Sequence, residues 1–545
     1  MYDNTRSGMS KRAYSSHKEK LMINSEFSIS IYKSLLMIPL LLLSSCGERS
    51  VEDSTVTSAG APTSWLISNV QVINGDGTPG VPGAVRIDGA RILAVGELEP
   101  LDGERVVDGG GQVISPGFID THSHADSGIM QLREAAAAVG QGITTAVVGQ
   151  DGESPFPLLD WFEKLDSTPI AINVASYAGH NTIRDHVLDD DFRRAATTGE
   201  LESMSSLLQA EMEAGALGLS TGLEYEPGIH SAPQEVIHLA KITARAGGRY
   251  ISHVRSEDRW FWEAIEEIIE IGRTTGMPVQ VSHMKLAMKS SWGRTTKLIE
   301  TLDAARSEGI DITADIYPYE YWESNMMVLI PSRNLANRDE YEFALSELVP
   351  PEGFWLTRFD PQPEYVGKSL TEIADLRNTD PVTAMMQLTT ESVASKTSNM
   401  DSGDMMIGKS MREEDIKALL AWPHTNVCTD GLLDDLHPRG TGSFPRVLGR
   451  YVREQGLMGL EQAIHKMTGL AAMHMGLNDR GLIRPGMFAD LVLFDPDTVI
   501  DNATPNDPKV ANTGIIRVWV NGEMVFDRGA TTGKFPGQVI RRQGT

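Results

Sequence analysis

Histidines and carboxylates recur at the ends of short apolar runs in the middle of the chain. His122 and His124 end the first run, Asp151 ends the second, and His253 and His283 end two later ones. Imidazole nitrogen and carboxylate oxygen are ordinary zinc ligands, and a catalytic zinc site needs about three of them plus an open position. Residues at i and i+2 of a strand face the same side, so His122 and His124 can reach one ion. A lone histidine here would be read as a hydrogen-bonded core residue, but five candidates together predict a divalent metal site, with zinc expected.

Eight apolar runs carry or separate these residues, and amphipathic stretches lie between them. The runs are VISPGFIDTHSH, ITTAVVGQD, IAINVASYAGH, ALGLSTGLE, RYISHVR, PVQVSHMK, IDITADIYPY and TNVCTDG. The stretches between them repeat apolar residues at three- and four-residue spacing and often end in glycine, as helices do. Strands that alternate with helices in this way predict an α/β fold, a closed (β/α)₈ barrel over 115–475, whose active site lies where the strands end.

The two ends of the ordered chain and one internal segment differ from this pattern. Residues 65–114 and 476–545 alternate apolar and polar positions between Gly, Asp and Pro turns, which predicts a small β-sandwich built from both termini. The alternation of apolar runs and amphipathic stretches is also interrupted from about 326 to 408. An insert of this length is usually functional. We expect it to cover the active site, the alternative being a peripheral excursion remote from the barrel mouth.

The N-terminus carries a predicted export signal. The apolar run 35–43 is too short to span a bilayer comfortably and fits the core of a signal peptide. It ends in Leu-Ser-Ser-Cys46, which resembles the bacterial lipoprotein box and implies lipidation of Cys46. We therefore predict a signal peptide at 1–46 and a polar tether at 47–64. Met22 is a more usual start, so 1–21 is a candidate misassigned extension. Gly47 in place of Asp favours the outer membrane and a periplasm-facing location, and an ordinary signal peptide is the alternative.

Composition restricts the partners. The formal net charge of −26 and the lack of a Lys/Arg-dense run argue against nucleic acid. The 41% hydrophobic content allows a large core. Cys46 and Cys428 are the only cysteines, so lipidation of the first would exclude an intramolecular disulfide, and we expect Cys428 to be a buried core thiol. The membrane is then reached through the lipid anchor alone, and the sequence sets no oligomeric state.

Several short sequence motifs together resemble those of a known family. PGFIDTHSH, SHVRSED, SHMK and TDG resemble the amidohydrolase superfamily, and within it the N-acyl-D-amino-acid deacylase (D-aminoacylase) branch, over 65–542. The resemblance implies that His253 and His283 hold a tight metal ion and that His122 and His124 hold a second. It makes Asp430 the general base and acid. The implied reaction is hydrolysis of an N-acyl-D-amino acid to a carboxylate and a free D-amino acid.

One position departs from that branch. Where the branch usually has a cysteine ligand, in a word like VGNCG, this chain has VGQDG with Asp151. A carboxylate is a harder ligand than a thiolate, so the number and kind of divalent ions, one or two, stay open. Asp151 as a simple turn cap is the alternative. Glu224, near the end of the fourth run, is a further candidate ligand.

The resemblance also implies substrate contacts. Lys285, Tyr317 and Ser324 match in order the residues that bind the substrate carboxylate, and Lys285 shares a strand face with His283. His180, in the word GHNTIR, is expected to line the pocket or to buttress it. Arg255 and Glu257 are candidate supports for His253, and His437 and Arg439 are candidate substrate contacts.

Two other functions remain open at this point. A dipeptidase or cyclic-amide hydrolase would use the same chemistry on the same scaffold, because fold does not determine substrate. A non-catalytic ligand-binding lipoprotein is the alternative from another class. The expected partner is a small molecule, either an N-acylated amino acid or a dipeptide.

Overall fold

The computed structural model describes residues 64–396 and 403–542. The predicted signal peptide with Cys46, and the tether up to residue 63, lie outside the described residues. Within the described ranges, no helix combines the length and the apolar character that crossing a membrane requires.

The chain forms strands and helices in mixed order. The strands are β1 Ser64–Val72, β2 Val81–Asp88, β3 Arg91–Gly96, β4 Arg105–Asp108, β5 Val113–Pro116, β6 Phe118–Asp120, β7 Ile143–Val148, β8 Asn173–Ser176, β9 Ala178–Gly179, β10 Gly218–Gly222, β11 Arg249–His253, β12 Val279–Val281, β13 Ile312–Ile316, β14 Tyr321–Ser324, β15 Phe354–Phe359, β16 Asp404–Lys409, β17 Thr425–Val427, β18 Leu491–Phe494, β19 Ile515–Val520, β20 Glu523–Asp527 and β21 Ala530–Thr531. The α-helices are α1 Ala136–Val139, α2 Leu158–Ser167, α3 His180–Leu188, α4 Thr198–Ala214, α5 Pro233–Arg245, α6 Phe261–Thr275, α7 Thr295–Ser307, α8 Arg338–Phe343, α9 Leu370–Leu376, α10 Pro381–Ser395, α11 Glu413–Ala421, α12 Arg439–Arg446, α13 Leu460–Met467 and α14 Gly469–Met475.

The middle of the chain is a closed parallel barrel. Strands β6, β7 and β8 pair in that order, and β9 to β13 pair in sequence and then with β17. Strand β9 continues β8 after Tyr177, so the third barrel strand joins the two sets. Ring closure comes from Asp430 N, which donates to His122 O at 2.8 Å, and from His124 N, which donates to Gly431 O at 3.0 Å. All eight predicted strands are present, and the predicted (β/α)₈ barrel is confirmed.

The barrel elements follow from their sequences. Every residue of β7 (ITTAVV) is buried, as expected of a parallel strand covered on both faces. Helix α4 begins with a capping box between Thr197 and Glu200 and ends at Gly215, whose φ of 110° is readily adopted only by glycine. Helix α6 buries one apolar face that includes Ile265 and Ile268 against the barrel core. These elements hold the strand ends at fixed positions.

Both ends of the described chain build one nine-stranded sheet. Its order is β21-β20-β19-β18-β5-β1-β2-β3, with β4 paired to β1. The inward side chains, among them Val85, Leu491 and Trp519, form an apolar core of their own. The segment 537–542 departs from the predicted sandwich boundary. It lies on the barrel, where Ile540 N donates to Val174 O at 2.8 Å.

The insert follows β13 and forms a small antiparallel sheet in the order β14-β16-β15, with helices α8, α9 and α10 beside it. The sheet begins at Tyr321, five residues before the predicted start of the insert, and it ends at Lys409. Trp322, Leu329 and Met405 from this segment line the main cavity of the barrel. The insert therefore covers the barrel mouth rather than lying away from it.

Candidate metal and active site

The predicted metal ligands stand at the carboxyl ends of five barrel strands. His122 and His124 follow β6, Asp151 follows β7, His253 ends β11, His283 follows β12 and Asp430 follows β17. Asp151, His283 and Asp430 have φ angles of 52°, 33° and 52°. A left-handed backbone costs a non-glycine residue free energy and is found most often at functional positions. Gly152 is needed beside Asp151, since a Cβ there would lie 2.6 Å from the Asn181 side chain.

Two groups of donor atoms share the carboxylate of Asp151. In the first group, His122 Nε2 lies 3.4 Å from Asp151 Oδ1 and 3.4 Å from Asp430 Oδ1. His124 Nε2 lies 3.2 Å from the same Asp430 oxygen and 3.5 Å from Asp151 Oδ2. In the second group, His283 Nε2 lies 3.4 Å from Asp151 Oδ1 and 3.1 Å from His253 Nδ1. Each group has three or more donor atoms that could surround one ion.

The donor atoms fit zinc ligands in spacing and in chemistry. Ligands about 2.0–2.2 Å from a tetrahedral zinc ion lie roughly 3.3 Å from one another. The distances within both groups are close to that value. Both ring nitrogens of His122 and Asp151 Oδ1 are buried and have no hydrogen-bond partner in the part of the chain that the structure describes. Buried polar atoms are rarely left in that condition, so the residues present fit one or two divalent ions.

Carboxylates behind two of the histidines select the nitrogen that each presents. Glu224 Oε2 lies 3.0 Å from His253 Nε2, which leaves Nδ1 for the second donor group. Glu257 Oε1 lies 3.0 Å from His283 Nδ1, which leaves Nε2 for the same group. An outer carboxylate of this kind orients a ligating imidazole and raises its basicity. Glu224, His253 and Glu257 could also hold an ion by themselves. His253 would then bind that ion through Nε2 and carry its proton on Nδ1, so it could not also be a ligand in the second group.

The electrostatics of the cluster favour positive charge at its centre. Burial opposes the charged form of His283, as does Lys285, but Glu257, Asp430 and Asp151 outweigh both and raise its pKa to about 10. Burial likewise acts to raise the pKa of Asp151, and the His122 and His283 imidazoles hold that pKa well below its usual range. Such a field stabilises protons or a metal cation.

Asp430 is buried beside a cation. Its carboxylate accepts a hydrogen bond from the Arg439 guanidinium, and Arg439 is itself buried. Burial acts to raise the pKa of Asp430, but Arg439 and the imidazoles of His283 and His124 overcome it and hold the pKa far below its usual range. Asp430 is therefore ionised at neutral pH.

The donor groups open into a cavity of about 450 Å³ that also contains the predicted substrate contacts. Lys285 Nζ lies 2.5 Å from Glu257 Oε1 and 2.8 Å from His283 Nδ1. The Tyr317 hydroxyl is buried and has no hydrogen-bond partner within residues 64–396 and 403–542. The Ser324 hydroxyl donates to Tyr225 Oη at 3.0 Å. All of these side chains line the cavity, opposite or beside the metal donors.

His180 is a correction to the sequence prediction. It is fully buried and does not line the cavity, and its Nε2 lies 2.9 Å from Glu235 Oε1. Arg184 donates to the other oxygen of the same carboxylate at 2.5 Å. This buried cluster links α3 to α5, so His180 supports the scaffold and stands outside the cavity lining.

Two further candidates, Arg255 and His437, differ from expectation, and Cys428 agrees with it. Arg255 pairs with Glu267 Oε2 at 2.8 Å and does not contact His253. His437 Nδ1 accepts a hydrogen bond from Arg439 N at 2.9 Å, so it positions Arg439 and does not line the cavity. Cys428 is a buried thiol, as predicted, and contacts Asp315 Oδ1.

Tyr225 is a site residue that sequence reasoning missed. Its ring centroid lies 4.6 Å from that of His253, and its hydroxyl accepts the hydrogen bond from Ser324. It therefore links a candidate metal ligand to a candidate substrate contact. The only signal was its place one residue after Glu224 at the end of a barrel strand.

The fold and the site together define a metal-dependent barrel hydrolase. Comparison with known proteins agrees: residues 105–331 and 370–526 match the model of the amidohydrolase family. The chain is 34% identical to a D-aminoacylase of Alcaligenes xylosoxydans xylosoxydans, with 89% of this chain and 99% of the relative covered. It is 36% identical to an N-acyl-D-glutamate deacylase of the same organism, with 88% and 97% covered.

A solved structure shows the same likeness. N-acyl-D-glutamate deacylase from Bordetella bronchiseptica, in complex with zinc and a phosphonate inhibitor that mimics the tetrahedral intermediate, superposes with a TM-score of 0.79. The two chains are 35% identical, and 88% of this chain and 99% of that one are covered. The protein therefore belongs to the amidohydrolase family, in its D-aminoacylase branch.

Proposed function

We propose that this protein is a zinc-dependent N-acyl-D-amino-acid deacylase, which hydrolyses the amide bond to a carboxylate and a free D-amino acid. The observation that carries the proposal is a single cavity that holds both kinds of group the reaction needs. Donors of both groups (His124, Asp151, His253 and His283) and the ionised Asp430 line it. So do the ammonium of Lys285 and the hydroxyl of Tyr317, which has no hydrogen-bond partner among the described residues. The named activities of the relatives support the same reaction.

The metal-binding residues are assigned from the donor groups. His253, His283 and Asp151 would hold one ion, and His122, His124, Asp151 and Asp430 surround the place of a second. A zinc ion bound there supplies Lewis-acid polarisation of the amide carbonyl and lowers the pKa of water toward roughly 7.

Asp430 performs the proton transfers. Its carboxylate is ionised and held by Arg439, so it accepts the proton of the attacking water. The same carboxyl then delivers this proton to the nitrogen of the leaving D-amino acid, so that the C–N bond breaks to a neutral amine. A positioned acid–base group of this kind contributes about 10²–10⁴ in rate.

Lys285, Tyr317 and Ser324 recognise the substrate carboxylate. The Lys285 ammonium is buried and held by Glu257, which fixes its direction without covering all three of its donor positions. The Tyr317 hydroxyl provides a second donor that lacks a partner in the described residues. A free α-carboxylate would satisfy both.

A substrate screen tests the proposed function. Purified protein loaded with zinc, manganese or cobalt would be assayed with N-acetyl-D-amino acids, N-acetyl-L-amino acids, and D- and L-dipeptides. We expect turnover of the N-acetyl-D compounds and little or none of their L enantiomers. Activity confined to L-dipeptides would overturn the assignment, and less than one equivalent of bound metal would favour a non-catalytic binding protein.

We further propose that the protein is a periplasm-facing lipoprotein anchored through Cys46. The apolar run, the Leu-Ser-Ser-Cys46 word and the polar stretch after it support this location. Labelled palmitate should be incorporated into the wild-type chain and not into Cys46→Ser. Equal labelling of both chains, or a wild-type chain that fractionates entirely without membranes, would refute the anchor.

A further inference from the structure

We propose that the D-amino acid released by this protein has an uncharged, apolar side chain, and that substrates with a carboxylate side chain are excluded. The inference rests on the proposed function and specifies its substrate class. Sequence identity does not decide the matter, because the D-aminoacylase and the N-acyl-D-glutamate deacylase are similar to this chain by almost the same amount. The lining of the cavity does decide it.

Charge in the cavity opposes an acidic side chain. Eight acidic side chains line it, and six of them remain when Asp151 and Asp430 are assigned to the proposed ions. Three side chains that carry a permanent positive charge line it as well. Each of those cations is already paired with a carboxylate. Lys285 lies 2.5 Å from Glu257, Arg439 donates to Asp430, and Arg358 Nε lies 2.9 Å from Asp360 Oδ1.

Two of the three cations, Lys285 and Arg439, are also needed for other interactions. Lys285 is needed for the α-carboxylate, which every substrate of this class carries, and Arg439 holds the proton-transferring Asp430. A second carboxylate on the substrate would then face a predominantly acidic wall. Burying a carboxylate without a partner is costly, so acidic side chains are strongly disfavoured.

The insert offers an apolar surface beside its one lining cation, Arg358, which is already paired with Asp360. Trp322, Val328, Leu329, Leu348 and Met405 from this segment all line the cavity. The burial of apolar atoms of a substrate against these side chains is favourable.

Arg333, the basic residue that follows Val328 and Leu329 in the chain, does not line the cavity. Arg333 donates to the backbone carbonyls of Met327, Ile330 and Glu224 and is absent from the cavity lining. Its guanidinium instead ties the insert to the loop after β10. Arg358, which is paired with Asp360, is therefore the one cation that the described residues of the insert add to the cavity lining, beside the apolar side chains and the polar Glu323, Ser324 and Asn325.

The test is a comparison of kcat/KM across one substrate series with zinc-loaded full-length protein. N-acetyl-D-leucine, N-acetyl-D-methionine and N-acetyl-D-phenylalanine should each exceed N-acetyl-D-glutamate and N-acetyl-D-aspartate by at least tenfold. A ratio below tenfold overturns the inference, and so does faster turnover of N-acetyl-D-lysine than of N-acetyl-D-leucine. If no N-acetyl-D-amino acid is cleaved, the proposed function fails and this inference fails with it. If an acidic N-acetyl-D-amino acid is cleaved fastest, this inference fails and the proposed function stands.

A matched pair of variants tests the apolar surface itself. Val328 is partly exposed to the cavity and lies in a short 3-10 turn. Val328→Arg should raise the ratio of N-acetyl-D-glutamate to N-acetyl-D-leucine turnover at least tenfold. Val328→Gln introduces a polar side chain, as Val328→Arg does, but carries no charge. It should change that ratio by less than threefold. Equal ratios in the two variants would show that charge at this wall does not select the substrate.

Discussion

Glu224 offers a sharp test of the metal site, because it touches a ligand and not the proposed ion. Its Oε2 lies 3.0 Å from His253 Nε2, and its side chain is almost entirely buried. The backbone of Glu224 is held independently, since its carbonyl accepts a hydrogen bond from Arg333. A change in the carboxylate should therefore act on the imidazole and leave the loop in place.

The expected size follows from the contact. A hydrogen bond to a buried charged group is worth about 1.5–3 kcal/mol, and removal of the outer partner of a ligating histidine typically lowers metal affinity about 10–100-fold. These two estimates agree, because a 10–100-fold change corresponds to about 1.4–2.7 kcal/mol. Glu224→Ala should fall near the upper end. Glu224→Gln keeps an acceptor and loses the charge, so it should fall near the lower end.

The assay is competition for zinc with a chromophoric chelator, read as the dissociation constant and the number of ions bound. Glu226→Gln is the matched control, since Glu226 lies two residues along the same loop and contacts Arg193 and His230 outside the cavity. Unfolding temperatures of the metal-free variants would show whether the fold is intact. Unchanged affinity in Glu224→Ala would refute the positioning role. Loss of one full equivalent of metal would instead make Glu224 a ligand.

Three other outcomes are expected. Asp430→Asn should keep the ion held by His253 and His283 and lower kcat by about 10²–10⁴, and a wild-type kcat would remove Asp430 from the chemistry. Lys285→Met should raise KM for N-acyl amino acids at least tenfold with a smaller change in kcat, and an unchanged KM would refute the carboxylate contact. Burial raises the pKa of Glu211 to about 7, so its ionisation destabilises the fold, and stability is lost as pH rises from about 4.5 through 7. Glu211→Gln, which keeps an acceptor for Leu158 N, should therefore gain about 1–2 kcal/mol over wild type at pH 8 and little at pH 4, and an equal difference at both pH values would contradict this.

The strand ends were predictable because two simple rules coincide there. Barrel strands are short, buried and apolar, so a polar residue at the end of one stands out from its neighbours. His122, His253 and Asp430 could each be read in this way. The way they converge follows from the parallel barrel, which brings all of its strand ends to one face.

Contacts between separate loops could not be predicted in the same way. The approach of Glu224 to His253 depends on the path of the loop after β10. The burial of His180 against Glu235 depends on the packing of α3 on α5. Neither is encoded in a local pattern of apolar and polar residues, and a histidine that hydrogen-bonds to a buried carboxylate has the same sequence signature as one that faces a substrate.

The positions of the loops show what the replacement of a thiolate by Asp151 does to the donor atoms around each proposed ion. Cys428 is the only cysteine among the described residues, and its thiol contacts Asp315 outside both donor groups. Each proposed ion is therefore surrounded by nitrogen and oxygen donors alone. Thiolates select soft ions, whereas imidazole and carboxylate also suit manganese and other first-row metals. Asp151 is shared between the two groups and Glu224 lies behind His253. We therefore expect these carboxylates to help hold the ions without a thiolate, and we expect the site to discriminate less sharply in favour of zinc.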